Sequence, residues 1–502
     1  MQFKKHTVLL LFLTLGVLAF AQENGEKWCG YTGSSEWLDW YQRHTALFKG
    51  DGDADTSWLY VPVTFHIVGN DEGSGYFDAG DAILALCNMN EQYLPLHIRF
   101  YLKPGDELRF HNKSKWFEHD WNAGSEMINT ATAGIRNRLN MFIVADPAGN
   151  CGYSWQDAVV MKKGCSGPKN ATWAHEVGHH FSLPHTFRGW ENFTWDYSKP
   201  APLKVNNVPV EKTDGSNCYT GGDRFCDTDA DYINDRWTCN SNLQSNKVQY
   251  DPDSVAFRSD ATLFMSYSYD ACASRFSGEQ TDAIRANLQS AHSDYLLQIN
   301  PPLAEIDDHA IIELISPLDT TQPVQYNHIE FKWKAVPNAR YYTVEIANDP
   351  KFNTPFFHQT VIDTTSLVIT KGAPNNWTIY WRVRAANGWD VCQSHDNEQV
   401  GVLRTQNLSA TNDLERAAVI QLAPNPVMAG APAKLSVLSD QVMELSATVS
   451  DAAGRICFRQ VFKVFNGAND LEIPTAQLSA GAYMVLLQNE KGATVKRLAV
   501  VE

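Results

Sequence analysis

The segment His175-Glu176-Val177-Gly178-His179-His180-Phe181-Ser182-Leu183-Pro184-His185 constrains this chain more than any other. Residues four apart share one face of a helix, so His175 and His179 can aim their imidazoles at one ion if this stretch is helical. Asn170 or Thr172 can cap the start of that helix, and Pro184 marks its end. Once the chain turns back, His185 can supply a third nitrogen. Three neutral imidazoles leave a fourth tetrahedral position for water, the arrangement of a catalytic zinc site. Glu176 need not bind the metal. It is placed to take a proton from the water and hand it to a leaving amine. His180, one position from His179, faces elsewhere and is read as a non-ligand.

The chain has 502 residues and a formal net charge of −16. That length predicts three or so folded units. The acidic balance argues against a nucleic-acid partner, which favours a basic patch, and leaves carboxylates for calcium. Lys4 and Lys5 precede an apolar run from Val8 to Phe20, and Ala19-Phe20-Ala21 reads as a small-x-small cleavage site. Residues 1–21 are therefore read as a signal peptide, with the exported form beginning near Gln22. No later stretch is long and apolar enough to cross a membrane, so no transmembrane segment is expected in the mature protein.

Export permits disulfides among the ten cysteines. Cys218, Cys226, Cys239 and Cys272 cluster around and beyond the histidine motif, and their three possible pairings stay open. Cys151 and Cys165 are near enough to close a short loop. Cys87, Cys392 and Cys457 read as buried free thiols.

Residues 22–52 are polar, aromatic and turn-rich, and read as a pro-segment. An αβ unit over 53–298 follows. Strands are predicted at Val61–Val68, Leu96–Leu102, Leu139–Val144 and Ala158–Met161, and a helix from Asp81 to Tyr93. A linker covers 299–312, after which the pattern becomes all-β. Ile329, Phe331 and Trp333 alternate with polar residues, as do Tyr342, Val344 and Ile346. Period-two runs broken by turns predict a β-sandwich over 313–406, and shorter strands predict a second over 417–502, after a polar linker at 407–416. The expected fold class is thus multidomain: an α+β catalytic domain with a twisted mixed sheet and an active-site helix, then two β-sandwiches.

The histidine motif followed by Met265-Ser266-Tyr267 resembles the metzincin signature, a long zinc-binding sequence with a downstream methionine turn. Within metzincins the chain resembles the pappalysin family. Thr172-Trp173-Ala174, His185-Thr186-Phe187, Gly222-Asp223, Cys226-Asp227-Thr228 and Met265-Ser266-Tyr267-Ser268-Tyr269-Asp270 carry that likeness, which spans roughly residues 56–298.

The resemblance implies zinc on His175, His179 and His185, with Glu176 as catalytic base. It implies an apolar base beneath the zinc from Met265, and a Tyr267 hydroxyl near the tetrahedral intermediate. It implies calcium near Asp223, Asp227 and Thr228. It also implies that Ala158–Met161 is the sheet edge that pairs with an extended substrate, and that Asp270 is a candidate acid for recognising arginine after the scissile bond. Two departures stand out. Ser182 replaces the usual glycine of the turn, at a cost of roughly 1 kcal/mol in a left-handed conformation. Asp229 replaces a frequent proline, adding a carboxylate. Cys29, in Lys27-Trp28-Cys29-Gly30, lies in the pro-segment. Pro-segments of similar enzymes place a cysteine thiolate on the zinc, so Cys29 is either a latent zymogen ligand or a disulfide partner.

Trp333, Tyr342–Ala347 and Tyr380–Asn387 resemble a fibronectin type III domain. Leu422-Ala423-Pro424-Asn425-Pro426, Asp451–Gly454, Leu478–Tyr483 and Val495–Leu498 resemble the sorting domain of the bacterial type IX secretion system. That implies outer-membrane translocation to the surface or medium, with the secretion machinery as a partner. The leading expectation is a secreted zinc metalloendopeptidase acting on protein or peptide substrates. The competing one is a surface adhesin with an inactive metal-binding head, against which an intact Glu176 argues.

Overall fold

The computed structural model describes residues 27–30, 35–48, 57–167, 169–297, 305–307, 309–392, 399–408, 418–439, 441–489 and 492–501. The expected signal peptide and the residue near which its cleavage is expected lie outside these. The chain divides into two units. The first runs to Ile306 and takes in 386–394, and the second comprises 307–385 and the residues from 395 onward.

The first unit is organised by a seven-stranded sheet: β1 (Lys27–Cys29), β2 (Leu59–Gly69), β3 (Ile98–Leu102), β4 (Leu108–Asn112), β5 (Leu139–Val144), β6 (Asn150–Trp155) and β7 (Ala158–Lys162). The spatial order is β1-β6-β7-β5-β2-β3, with β4 pairing the far half of β2. All pairings are parallel except β6 with β7. Every residue of β5 is buried, as a parallel interior strand covered on both faces requires.

Helices α1 (Glu36–Arg43), α2 (Ala79–Tyr93), α3 (Trp121–Ala131), α4 (Thr172–His180) and α5 (Gly278–Gln289) pack around this sheet. Asp78 caps α2 by accepting from the Gly80 amide at 2.8 Å. The buried stripe of α2 ends in Tyr93, whose hydroxyl donates to the Ala174 carbonyl of α4 at 3.2 Å. Helix α1 is amphipathic and buries Leu38 and Tyr41. It is fastened by Trp37 Nε1 donating to Ser290 Oγ at 3.1 Å and by Gln42 Nε2 donating to the Arg224 carbonyl at 2.8 Å.

Four disulfides form: Cys87–Cys392, Cys151–Cys165, Cys218–Cys226 and Cys239–Cys272. The expectation of free thiols at Cys87 and Cys392 is therefore corrected. The two are 305 residues apart, a separation that no local spacing can reveal. The segment that carries Cys392 also seats Trp389 beneath the Arg99 guanidinium and pairs Asp390 with Arg99 at 3.1 Å. Cys457 is a free thiol but exposed, not buried, because it lies on the outward face of an edge strand.

The second unit holds two sandwiches of one topology. In the first, Leu314–Ser316, Ile329–Trp333 and Ser366–Ile369 form one sheet. Val324–Gln325, Gly401–Gln406, Thr378–Ala386, Tyr341–Ala347 and Phe357–Ile362 form the other, in that order. The predicted alternation is seen: Ile329, Phe331 and Trp333 are buried, and Phe331 meets Trp381 of the facing sheet at 4.9 Å between ring centroids. From Ala418 onward the same strand order recurs, strand for strand, around a core that includes Leu435, Val437, Leu445, Val449, Val485 and Leu487.

Candidate active site

Helix α4 is buried at all nine positions. Neither Asn170 nor Thr172 caps it, contrary to the sequence reading. Ala171 is the N-cap residue, without a side-chain hydrogen bond, and its amide donates instead to Asp270 Oδ1 at 3.3 Å. The helix stops at His180, before Pro184, in a Schellman motif. The Leu183 amide donates to the Gly178 carbonyl at 3.0 Å and the Ser182 amide to the His179 carbonyl at 2.9 Å. Ser182 takes the left-handed position that glycine would favour, with φ of 73°. This turn brings His185 back beside α4.

The three histidines converge through one nitrogen each. His179 Nε2 lies 3.0 Å from His175 Nε2 and 3.1 Å from His185 Nε2. The opposite nitrogens are held from behind. His175 Nδ1 meets the Phe264 carbonyl at 2.7 Å, His179 Nδ1 the Leu183 carbonyl at 2.7 Å, and His185 Nδ1 the Glu191 carboxylate at 3.1 Å. A carbonyl acceptor requires the proton on Nδ1, which leaves Nε2 with a lone pair. Burial pushes His175 and His179 well below the usual imidazole range, and the neighbouring His185 adds to this, so both rings are neutral. Three lone pairs facing one another at such distances repel unless a cation lies between them. The donor set and the acceptors behind it fit a metal ion.

Glu176 is fully buried, and neither carboxylate oxygen meets a nitrogen or oxygen partner among the described residues. Burial pushes it up to about 8, and the nearby Cys29 thiol opposes that rise. Two glycines set its surroundings. A Cβ on Gly152 would lie 2.9 Å from Glu176 Cγ, and a Cβ on Gly178 would lie 2.5 Å from the Met265 sulfur. Met265 thus packs directly under the helical turn between His175 and His179. The Tyr267 ring stands edge-on to His185, with centroids 5.0 Å apart, and 5.8 Å from His175. Burial, reinforced by Cys29, Glu176 and Glu191, keeps the Tyr267 hydroxyl protonated. His180 is turned away, with Nε2 3.2 Å from the Tyr295 hydroxyl.

Cys29 is buried and forms no disulfide. Its sulfur and the ligand nitrogens of His175, His179 and His185 all lie within 4.8 Å of one another. Strand β1 brings it there by pairing in parallel with β6, Cys29 opposite Gly152, and the Gly30 amide donates to the Gly152 carbonyl at 2.9 Å. The expected substrate edge is corrected accordingly. Ala158–Lys162 is an interior strand paired on both sides, whereas β6 lies beyond it and takes β1. The chain turns back antiparallel between Asn150 and Lys162, and this hairpin moves the edge by one strand.

Asp223 and Thr228 come together, with the Thr228 hydroxyl donating to Asp223 Oδ1 at 3.0 Å. Asp227 does not join them: it is exposed and accepts from the Glu279 amide at 2.8 Å, at the start of α5. A buried carboxylate that the sequence reading missed, Glu211, lies beside Asp223. Burial and the Asp223 charge push Glu211 up to about 9, and burial pushes Asp223 up to about 7. Glu211 Oε2 has no hydrogen-bond partner among the described residues. Nothing in local spacing marks it, since the contact is closed by the left-handed turn at Gly222. Glu191 was also missed; its signal is the turn at Gly189, whose amide donates to Glu191 Oε2 at 2.7 Å. Asp270 faces the Arg236 guanidinium at 3.4 Å, so a cation of the chain itself answers its charge.

Residues 421–501 match the family model of the secretion system C-terminal sorting domain. The chain is 29% identical over 245 residues to an extracellular metalloprotease 1 of Coccidioides posadasii (strain C735), covering 43% of this chain and 83% of that protein. It is 26% identical over 263 residues to an extracellular metalloprotease of Sordaria macrospora, covering 48% of this chain and 78% of that protein. Among solved structures, the FN5 domain of Drosophila Lar aligns at 21% identity over 19% of this chain and 95% of that one, with a TM-score of 0.15. No helix among the described residues is long and apolar enough to cross a membrane. The tail marks the chain for type IX export to the cell surface or medium, and the fungal likenesses support a secreted metalloprotease that uses a metal.

Proposed function

We propose that the chain is a zinc-dependent endopeptidase of the pappalysin-like metzincin type, acting on extracellular proteins. The observation that carries this reading is the convergence of three Nε2 lone pairs beside a buried carboxylate with no nitrogen or oxygen partner. His175, His179 and His185 would hold the metal, with Glu191 fixing the ring of the third. Zinc, when bound, would supply Lewis acidity towards the scissile carbonyl and the attacking water. Burial alone favours the neutral acid at Glu176, a cation on the histidines would favour its carboxylate, and in that form Glu176 takes the water's proton and delivers it to the leaving nitrogen. The Tyr267 hydroxyl, kept protonated, donates to the oxygen on which charge develops. Glu211, Asp223 and Thr228 form the candidate calcium site, since hard cations take oxygen ligands; Asp227 would support it only through the loop. Cys29 would occupy the fourth zinc position in the zymogen and hold it latent. The first sandwich is read as a fibronectin type III domain, a spacer or partner-binding module.

The decisive test is Glu176→Ala. The variant should bind zinc stoichiometrically, as read by metal analysis, and lose cleavage of a denatured protein substrate. Unchanged cleavage would remove Glu176 from the mechanism.

A further inference from the structure

We propose that Trp121 selects what can lie on the β6 edge, restricting the residue opposite Tyr153 to glycine or alanine. This inference rests on the protease reading for its substrate and on the pro-segment contacts for its geometry. Gly30 follows Cys29 and lies opposite Tyr153. A Cβ on Gly30 would stand 2.7 Å from Trp121 Cη2, 3.3 Å from Trp121 Cζ2 and 3.0 Å from Tyr153 Cβ. A methyl group at Gly30 thus fits only if the half-exposed end of the Trp121 indole shifts by a few tenths of an ångström, and a larger side chain must displace the indole.

The wall is built into the fold. Trp121 opens helix α3, whose cap Asp120 accepts from the Ala123 amide at 2.8 Å. The helix is drawn against β6 at Gly124, where a Cβ would lie 2.5 Å from the Tyr153 hydroxyl. That hydroxyl donates to His119 Nε2 at 2.9 Å, because His119 Nδ1 is committed to the Trp116 carbonyl at 2.8 Å. With Tyr153 buried and fixed, the Trp121 indole rests on it at 4.9 Å between centroids and stays half exposed towards the edge.

The consequence extends from pro-segment to substrate. Side chains alternate along a strand, and residues opposite each other across a ladder share a face, whichever way the strands run. A chain that puts a group at the metal from opposite Gly152, as Cys29 does, must turn its neighbour opposite Tyr153 towards Trp121. A substrate pairing antiparallel to β6 meets the same wall as the pro-segment pairing parallel to it. The subsite next to the metal along β6 thus takes glycine or alanine in either case.

The first test needs no catalysis. In the full zinc-loaded chain carrying Glu176→Ala, which keeps the pro-segment uncut, alkylation of Cys29 by iodoacetamide is followed by mass spectrometry. Gly30→Leu should raise the alkylation rate at least tenfold, Gly30→Ala should raise it less, and adding Trp121→Ala to Gly30→Leu should restore most of the protection. Equal protection in Gly30→Leu, or no rescue by Trp121→Ala, overturns the wall. The second test is a peptide-library profile of the processed enzyme. Glycine or alanine should be enriched at one position beside the scissile residue, and Trp121→Ala should broaden that position while the rest of the profile stays unchanged. A flat profile at that position, or one that Trp121→Ala leaves unaltered, overturns the extension to substrate. An enzyme that cleaves no peptide overturns the protease reading and leaves the alkylation result to decide the wall.

Discussion

Ser182→Gly isolates the cost of the turn that delivers His185. Ser182 holds φ of 73° at the end of α4. A left-handed non-glycine residue is strained by roughly 1–2 kcal/mol. Glycine relieves that strain, but its extra freedom in the unfolded chain takes back roughly 0.5–1 kcal/mol. The backbone alone would therefore gain about 0.5–1 kcal/mol from the substitution. The hydroxyl opposes this, because Ser182 Oγ accepts from Asn287 Nδ2 at 3.1 Å. Asn287 is buried, and its Oδ1 already lacks a partner among the described residues. Leaving its amide donor unmet as well costs about 1–3 kcal/mol. The hydrogen bond wins, and Ser182→Gly should destabilise the first unit by about 0.5–2 kcal/mol. Ser182→Ala keeps the strain and loses the bond, so it should cost more, by about 0.5–1 kcal/mol. Urea denaturation of the full chain, followed by tryptophan fluorescence, measures both. A Ser182→Gly protein more stable than its parent would refute the reasoning, since the Asn287 contact would then count for nothing.

Three further outcomes can be checked. Cys29→Ala should make the unprocessed chain cleave a fluorogenic protein substrate where the parent is inert; equal inertness in the two would dismiss the latent ligand. Glu191→Gln removes the anionic partner of His185 Nδ1 and should weaken zinc binding by about 10–100-fold in a chelator competition, with the fold retained; an unchanged affinity contradicts the role given to Glu191. The processed parent should show no enrichment for arginine or lysine after the cut, because Arg236 faces Asp270. Arg236→Gln should free that carboxylate and favour basic residues there by about fivefold, the worth of an ion pair of about 1 kcal/mol, and a profile that does not move would show that Asp270 lies off the substrate path.

Much of the fold was legible where a period is local. The strand expected at Leu139–Val144 forms over those residues, and the helix expected from Asp81 to Tyr93 starts two residues earlier, at Ala79, behind its Asp78 cap. Alternation at Ile329, Phe331 and Trp333 gave the sandwich its inner face. What escaped was set by distant partners. Cys87 offers no hint of Cys392, and Ala158–Met161 looks as much like an edge as an interior strand until β6 folds back on it.

The site divides along the same line, and its glycines and serine show why. Helical spacing sets His175 and His179 on one face, and any sequence with that spacing would do so. Making them into a site needs close approaches that spacing does not encode. Gly178 must lack a side chain for the Met265 sulfur to come under α4, and Gly152 must lack one for Glu176 to lie against β6. In sequence these are ordinary glycines; only the packing partner gives them meaning. Ser182 is the converse case. Its substitution for glycine was visible as an irregularity, and its strain could be anticipated, but the compensating amide of Asn287 stands 105 residues away. Cys29 combines both conditions. Sequence alone left Cys29 as either a latent ligand or a disulfide partner, and it forms no disulfide. Its reach was not legible, because that depends on a three-residue strand finding the β6 edge and on Gly30 passing under Trp121. Reaching the histidines and occupying the edge are thus two results of a single strand pairing. A change that loosens that pairing at Gly30 should expose the thiol even though Cys29 itself is untouched.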